Sequence, residues 1–325
     1  MVGRRVRRGL AAGVLLAAVA CATDPGGGAA DPDARAPETS PTAPLAAPSA
    51  KPTAPMDRDG EAVPEEVSSL LEEMNSSTEP TARTTRRLRG SDISWPQCPE
   101  GMGIPERRTL GLPMPEESSE FVVIGLTNGP AFTPNPCLVD QVAWAREHRQ
   151  LVAAYAVVSF PQPDQLRRFG DDGPFDGSSR LGRLRNVGYQ AGLYSVQVME
   201  RAGLPSPIVW VDVEPVPDFE WSEDRVANAA VVEGSVRAYR EHGLRIGFYS
   251  TPHLWSQIVG DYATGAPEWR AAGESPMSEA LERCGEDWSI QGGEAVMGQW
   301  LADSRDHDIT CPGQELDLDE WFHRF

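Results

Sequence analysis

The run 207–215, Pro-Ile-Val-Trp-Val-Asp-Val-Glu-Pro, has the period of two expected of a strand, with β-branched residues bounded by prolines. Val209, Val211 and Val213 fall on one face. Ile208, Trp210, Asp212 and Glu214 fall on the other, so an apolar strand delivers two carboxylates to one side near its carboxyl end. Burying an acid without a partner is costly, which favours a site over chance. The alternative is a strand end whose acids meet water or cap a neighbouring helix. Other strands are predicted at 91–95, 121–126, 151–160 and 245–250, with shorter ones at 268–272 and 296–301.

Helical spacing alternates with these strands. Asn135-Pro136 reads as an N-cap with proline at the first helical position, opening a helix to His148 with Leu138, Val142 and Ala145 inward. A second helix at 187–202 stops at Gly203. A third, capped by Ser222 with Glu223 and Asp224 in its first turn, carries the stripe Ala229, Val232, Val236 and Tyr239 and stops at Gly243. A short helix is expected at 278–283, and the glycine-rich stretch 170–182 with its continuation 180–186 reads as a surface loop. Alternating strands and helices imply a parallel sheet, and about eight strands close most readily as a TIM-like (β/α)-barrel. Chemistry in such barrels sits at the carboxyl ends of strands, which is where Asp92, Asp212, Glu214 and Gln299 are expected.

The first 89 residues follow a different pattern. Arg4, Arg5, Arg7 and Arg8 precede an apolar run at 10–20 that is too short to span a membrane, the organisation of a secretory signal. It ends at Ala18-Val19-Ala20-Cys21, which resembles a lipobox, with Cys21 as the lipidated residue. Residues 22–89 are rich in Pro, Ala, Thr, Gly and Asp and poor in aromatic residues, so they read as a disordered tether with a reach of about 45 Å. Within it Val63, Val67, Leu70, Leu71 and Met74 have the spacing of a short transient helix. The expected location is the outer face of the bacterial cytoplasmic membrane, or the medium if Cys21 carries no lipid.

Cysteine usage agrees with export. Of five cysteines, setting Cys21 aside leaves Cys98, Cys137, Cys284 and Cys311. Among three possible pairings, Cys98–Cys137 and Cys284–Cys311 close the local loops and are the ones expected. No CxxC spacing or histidine cluster points to a metal, and no cofactor motif is present. A net charge of -19 argues against nucleic acid as a partner. The membrane is expected to be met through the lipid anchor alone, and the folded domain as a monomer.

The folded part resembles glycoside hydrolase family 25, the bacterial and phage N-acetylmuramidases called lysozymes. The matching pieces are Ser91-Asp92-Ile93-Ser94-Trp95-Pro96-Gln97, Val211-Asp212-Val213-Glu214, Gly247-Phe248-Tyr249-Ser250, Trp269 and Gln299-Trp300. A closer resemblance is to a little-characterised secreted branch, through Trp-Pro-Gln-Cys, Asn-Pro-Cys-Leu, Asn228, and Cys284 followed by Gly292-Gly293 and Gln299. The resemblance implies a flattened (β/α)5β3 barrel that cleaves a β-1,4 bond of peptidoglycan. It makes Glu214 the general acid, Asp212 the assisting carboxylate and Asp92 a floor residue. The fourth acid is Asp306 by its spacing to Cys311, or Asp317 by the Leu-Asp-Leu-Asp-Glu-Trp-Phe ending. A solvated acidic loop is the plain alternative, because Asp303, Asp306 and Asp308 lie close together. Trp95, Gln97, Tyr155, Trp210, Tyr249, Gln299 and Trp300 are candidates to hold sugar, since aromatic faces suit a pyranose. The rival readings are an inactive glycan-binding relative on the same fold and a barrel glycosidase for another polymer.

Overall fold

The computed structural model describes residues 86–314 and 317–325. The signal, Cys21 and the short helix expected near 63–74 lie outside these residues. In chain order the elements are β1 (Arg89–Ile93), β2 (Phe121–Gly125), α1 (Leu138–Glu147), β3 (Leu151–Val157), α2 (Pro163–Phe169) and α3 (Arg180–Ala202). Next come β4 (Ile208–Asp212), α4 (Arg225–Glu241), β5 (Arg245–Ser250), α5 (Pro252–Ile258), β6 (Glu268–Glu274) and α6 (Met277–Glu282). The chain finishes with β7 (Ala295–Ala302), β8 (Arg305–Thr310), α7 (Leu318–Trp321) and β9 (His323–Arg324).

Strands β1 to β7 form a parallel series, and β8 runs antiparallel between β7 and β1, closing a barrel of eight strands. β9 pairs antiparallel with the start of β3, at Leu151 and Val152, below the point where β4 joins at Ala154. The period of two in β4 divides the core as the sequence leads one to expect. Val209, Val211 and Val213 pack outward with the helices, while Ile208 and Trp210 pack inward with Phe121, Val123, Trp269 and Trp321. Gly247, beside Trp210 on β5, is required by that packing, since a Cβ there would lie 2.3 Å from the indole. Trp210, Trp269 and Trp321 thus fill the barrel's interior.

Several boundaries differ from the expected ones for identifiable reasons. β1 begins at Arg89, and Leu88 N donates to Thr310 Oγ1, so the last residues assigned to the tether belong to the barrel seam. The strand stops at Ile93 because Trp95–Gln97 turns as a 3-10 helix around Pro96. Residues 180–186 are the opening turns of α3, with Ser179 accepting from Gly182 N, rather than a surface loop. Gly203 ends that helix in the left-handed conformation at φ 65°, as expected. Asp224 caps α4, accepting from Val226 N and Ala227 N, whereas Ser222 Oγ bonds Asn228 Oδ1. Asn135 sits upstream of α1 and its amide donates to Gly125 O and Gln141 Oε1.

The pattern of apolar and polar positions did not predict β8. This strand follows β7 through Asp303-Ser304, both at positive φ (51° and 58°), a two-residue hairpin turn made without glycine. Both expected disulfides are present, Cys98–Cys137 and Cys284–Cys311, with Cα separations of 5.5 and 5.6 Å. The buried pair Glu268–Arg270 lies outside the barrel wall. Glu268 accepts from Ile290 N, Gln291 N and Gly293 N, and Arg270 donates to the carbonyls of Arg283, Gly285 and Gly293. That network pins the loop between α6 and β7. Among the described residues, no helix is long and apolar enough to cross a membrane.

Candidate active site

The barrel mouth collects acids from three strands. Asp92 comes from β1, Asp212 from β4, Glu214 from just beyond β4, and Asp306 and Asp308 from β8, where Asp306 is the register partner of Asp92. Glu214 keeps the strand direction past Asp212 because three bonds hold the chain there. Val213 N donates to Tyr249 O, Ser250 Oγ to Val213 O, and Trp221 Nε1 to Glu214 O. Asp212 is buried and its Oδ1 makes no hydrogen bond within the protein, while Glu214 is half-buried.

Removal from water dominates the electrostatics. Burial pushes Glu214 from its ordinary 4.5 to about 7, helped by the charge of Asp306 and opposed by Arg107. Burial lifts Asp306 to about 6. It raises Asp212 well above its usual range, with Glu214 adding to the effect. Asp92 is raised by burial and then by Asp306, Asp308 and Asp212, against a hydrogen bond from Gln299. Asp308 is raised by burial and by Asp306, against hydrogen bonds from Trp269 and Asp92. Arg107 is the cation beside Glu214. It donates to Pro217 O at 2.9 Å and lies over the Trp95 ring, 5.7 Å from its centroid. The result is a bowl in which a carboxylic acid stays protonated near neutral pH beside a second carboxyl, the pairing that general acid chemistry needs.

The other candidates separate. Tyr249 Oη donates to Gln299 Oε1 at 2.8 Å, and Gln299 Nε2 to Asp92 Oδ2 at 2.8 Å. Tyr155, half-buried, feels the charges of Asp92, Asp212 and Asp306 and bonds Ser94. These three, with Trp95 at the rim, surround the acids. Trp210 does not, for it is fully buried with both ring edges against Trp269 and Trp321 and has no face for a sugar. Gln97 turns back, its Oε1 accepting from Ser94 N at 2.8 Å. Trp300 lies on the opposite face of β7 from Gln299 and stacks on His307. Asp317 is exposed at the start of α7, after β8 has run away from the mouth, so of the two candidates for fourth acid Asp306 is the one in the bowl.

Asp308 and Trp269 have parts that the sequence reading missed. Trp269 Nε1 donates to Asp308 Oδ1 at 2.8 Å inside the barrel. The inward alternation of Asp306 and Asp308 was the available signal. Among the described residues no group of His, Cys, Asp or Glu is arranged to hold a metal. A separate groove of about 440 Å³ lies on the helical exterior, between Phe175, Tyr262 and α4, and none of the acids of the barrel mouth lines it.

Residues 184–281 match the model of a family described as Lysozyme-like protein 1. No curated protein matches the chain. Among solved structures, the bacterial lysozyme of Streptomyces coelicolor is similar at 12% identity and a TM-score of 0.46, covering 72% of this chain and 96% of that one. A family GH25 lysozyme from Aspergillus fumigatus is similar at 14% identity and 0.44, covering 73% and 99%. The modular autolysin LytC of Streptococcus pneumoniae, solved with a synthetic peptidoglycan ligand, is similar at 10% identity and 0.41, covering 69% of this chain. The matched part spans 46%, about half, of that autolysin. Over the segment from 184 to 281, which contains both Asp212 and Glu214, the chain is thus similar to the lysozyme-like family, the direction in which its motifs had already pointed.

Proposed function

We propose that the protein is a glycoside hydrolase of the muramidase type, cutting β-1,4 bonds of peptidoglycan, with Glu214 as the general acid and Asp212 assisting. The observation that carries this reading is the Glu214 carboxyl, held at the mouth two residues beyond Asp212 and raised to about 7. Glu214 gives its proton to the glycosidic oxygen as the bond from that oxygen to C1 breaks. Asp212 stabilises the N-acetyl group of the substrate, whose carbonyl oxygen closes on C1. Water then opens that ring, returning a proton to Glu214. Asp92 and Asp306 line the bowl, and Tyr155, Tyr249, Gln299 and Trp95 hold the glycan.

The sequence supports a placement to match. Cys21 carries lipid, the stretch from residue 22 up to the barrel seam acts as the tether, and the domain works as a monomer at the outer face of the membrane. The test is digestion of purified peptidoglycan by the full chain, with mass spectra of the fragments. Muramic reducing ends support the proposal. Binding without any cleavage, where a known muramidase cuts, overturns it in favour of the glycan-binding reading.

A further inference from the structure

A line of hydrogen bonds crosses the barrel from β5 to β6 by way of β7, β1 and β8. It runs from Tyr249 to Gln299 and from Gln299 to Asp92, while Trp269 donates to Asp308 from the other end. The middle of the line is a meeting of two carboxyls: Gln299, which bonds Asp92, is the register partner of Asp308 on the neighbouring strand, and Asp92 acts on Asp308 as a hydrogen-bond partner. Asp308 is fully buried, and its Oδ2 has no donor within the protein if both groups are ionised. Two carboxyl groups in contact are joined only through a proton. Asp92 already accepts from Gln299, so a proton on Asp92 supplies the donor that Asp308 lacks.

We propose that Asp308 is a positioning residue of the site: anchored by Trp269, it accepts the proton of Asp92 and so fixes Asp92 as a neutral group facing Asp212 and Asp306. This rests on the hydrolase reading for its consequence, though the pair of carboxyls itself does not depend on that reading. The groups facing Asp92 are Asp306 from β8, Asp212 from β4, Tyr155 from β3 and Tyr249 from β5, while β2 presents the apolar Val123. No cation faces it. Burial and the neighbouring acids raise Asp92, which agrees with the proton residing there.

Asp308→Asn separates this role from simple packing. Asparagine still accepts from Trp269 but presents N–H to Asp92, so Asp92 must ionise and the negative charge moves toward Asp212. In the full chain acting on peptidoglycan, kcat should fall about tenfold or more with little change in KM. The limbs of the pH profile should move to higher pH, because a charge closer to Asp212 raises it. Trp269→Phe, which removes the anchoring donor, should move them the same way. The double variant Asp92→Asn/Asp308→Asn should lose no more than the weaker single variant. Unmoved pH midpoints, or losses that multiply, overturn the proposal. A readout independent of turnover is the Trp269 indole N–H resonance. It should follow the ionisation of the pair in the wild type and cease to do so in Asp308→Asn, and persistence of that titration also overturns the proposal. A wild type that cuts no glycan yet gives the expected resonance behaviour refutes the hydrolase reading and leaves the pair intact.

Discussion

Glu214→Gln should remove turnover and, at alkaline pH, make the protein more stable. Glutamine keeps the shape and the hydrogen-bonding reach of the acid but has no transferable proton. If general acid catalysis contributes roughly 10²–10⁴-fold, cleavage should fall by that factor. Stability follows from the folded-state value of about 7 against the ordinary 4.5. The folded state holds the proton more tightly than the unfolded chain, so the cost of ionising Glu214 is absent below about pH 4.5. It grows as pH rises toward 7 and is complete above it. A rise of that size corresponds to about 3 kcal/mol, and solvent reaching the half-buried carboxyl reduces this to about 2 kcal/mol. At about 2–4 °C per kcal/mol for a domain of this size, the variant should melt about 4–8 °C higher at pH 8 and alike at pH 4. Thermal melts of wild type and variant across that range check the sign, and reducing-sugar release checks the rate. Equal melting at pH 8 would refute the burial argument, and equal cleavage would refute the assignment of the acid.

Three further outcomes are expected. Reduction of the disulfides, which close separations of 39 and 27 residues, should cost about 3–4 kcal/mol each, read as a fall in the urea midpoint. Glu268→Gln leaves Arg270 buried with its charge unmatched, so unfolding free energy should drop by about 3–5 kcal/mol while the rate per folded molecule is kept; a loss below about 1 kcal/mol would contradict the network described. Cys21→Ser should move the protein from the membrane fraction to the soluble one, and sedimentation with membranes at high salt would count against the lipid anchor.

What the sequence disclosed depended on whether a segment's pattern had one cause or two. The strand 245–250 was legible to the residue, because Ile246 and Phe248 alternate into the core and Gly243 marks its approach. β4 was legible in its faces as well, since its outward valines and inward Trp210 each obey burial. β8 was not legible. Its inward positions are the acids Asp306 and Asp308, so the pattern that packing would have left is overwritten by chemistry, and its turn lacks the glycine that usually marks a hairpin. The start of α3 was hidden by neighbouring glycines that belong to the loop before it. Aromatic residues near a site are ambiguous for a different reason, because Trp210 and Tyr249 have similar sequence surroundings and only the barrel's depth decides which is covered.

The seam between β1 and β8 sets the order in which the molecule can assemble. Leu88 and Thr310, bonded across it, are 222 positions apart, so the barrel cannot close until nearly the whole domain is present. Contacts of such span repay their loop entropy late, which makes closure the slow step of folding. Each disulfide ties a segment that follows one seam strand to a nearby part of the chain, Cys98 after β1 to Cys137 and Cys311 after β8 to Cys284. Both can form before the ends meet. In an oxidising compartment the two edges of the seam are thus stiffened in advance, and the acids they carry, Asp92 on one and Asp306 and Asp308 on the other, come together only when the last joint closes.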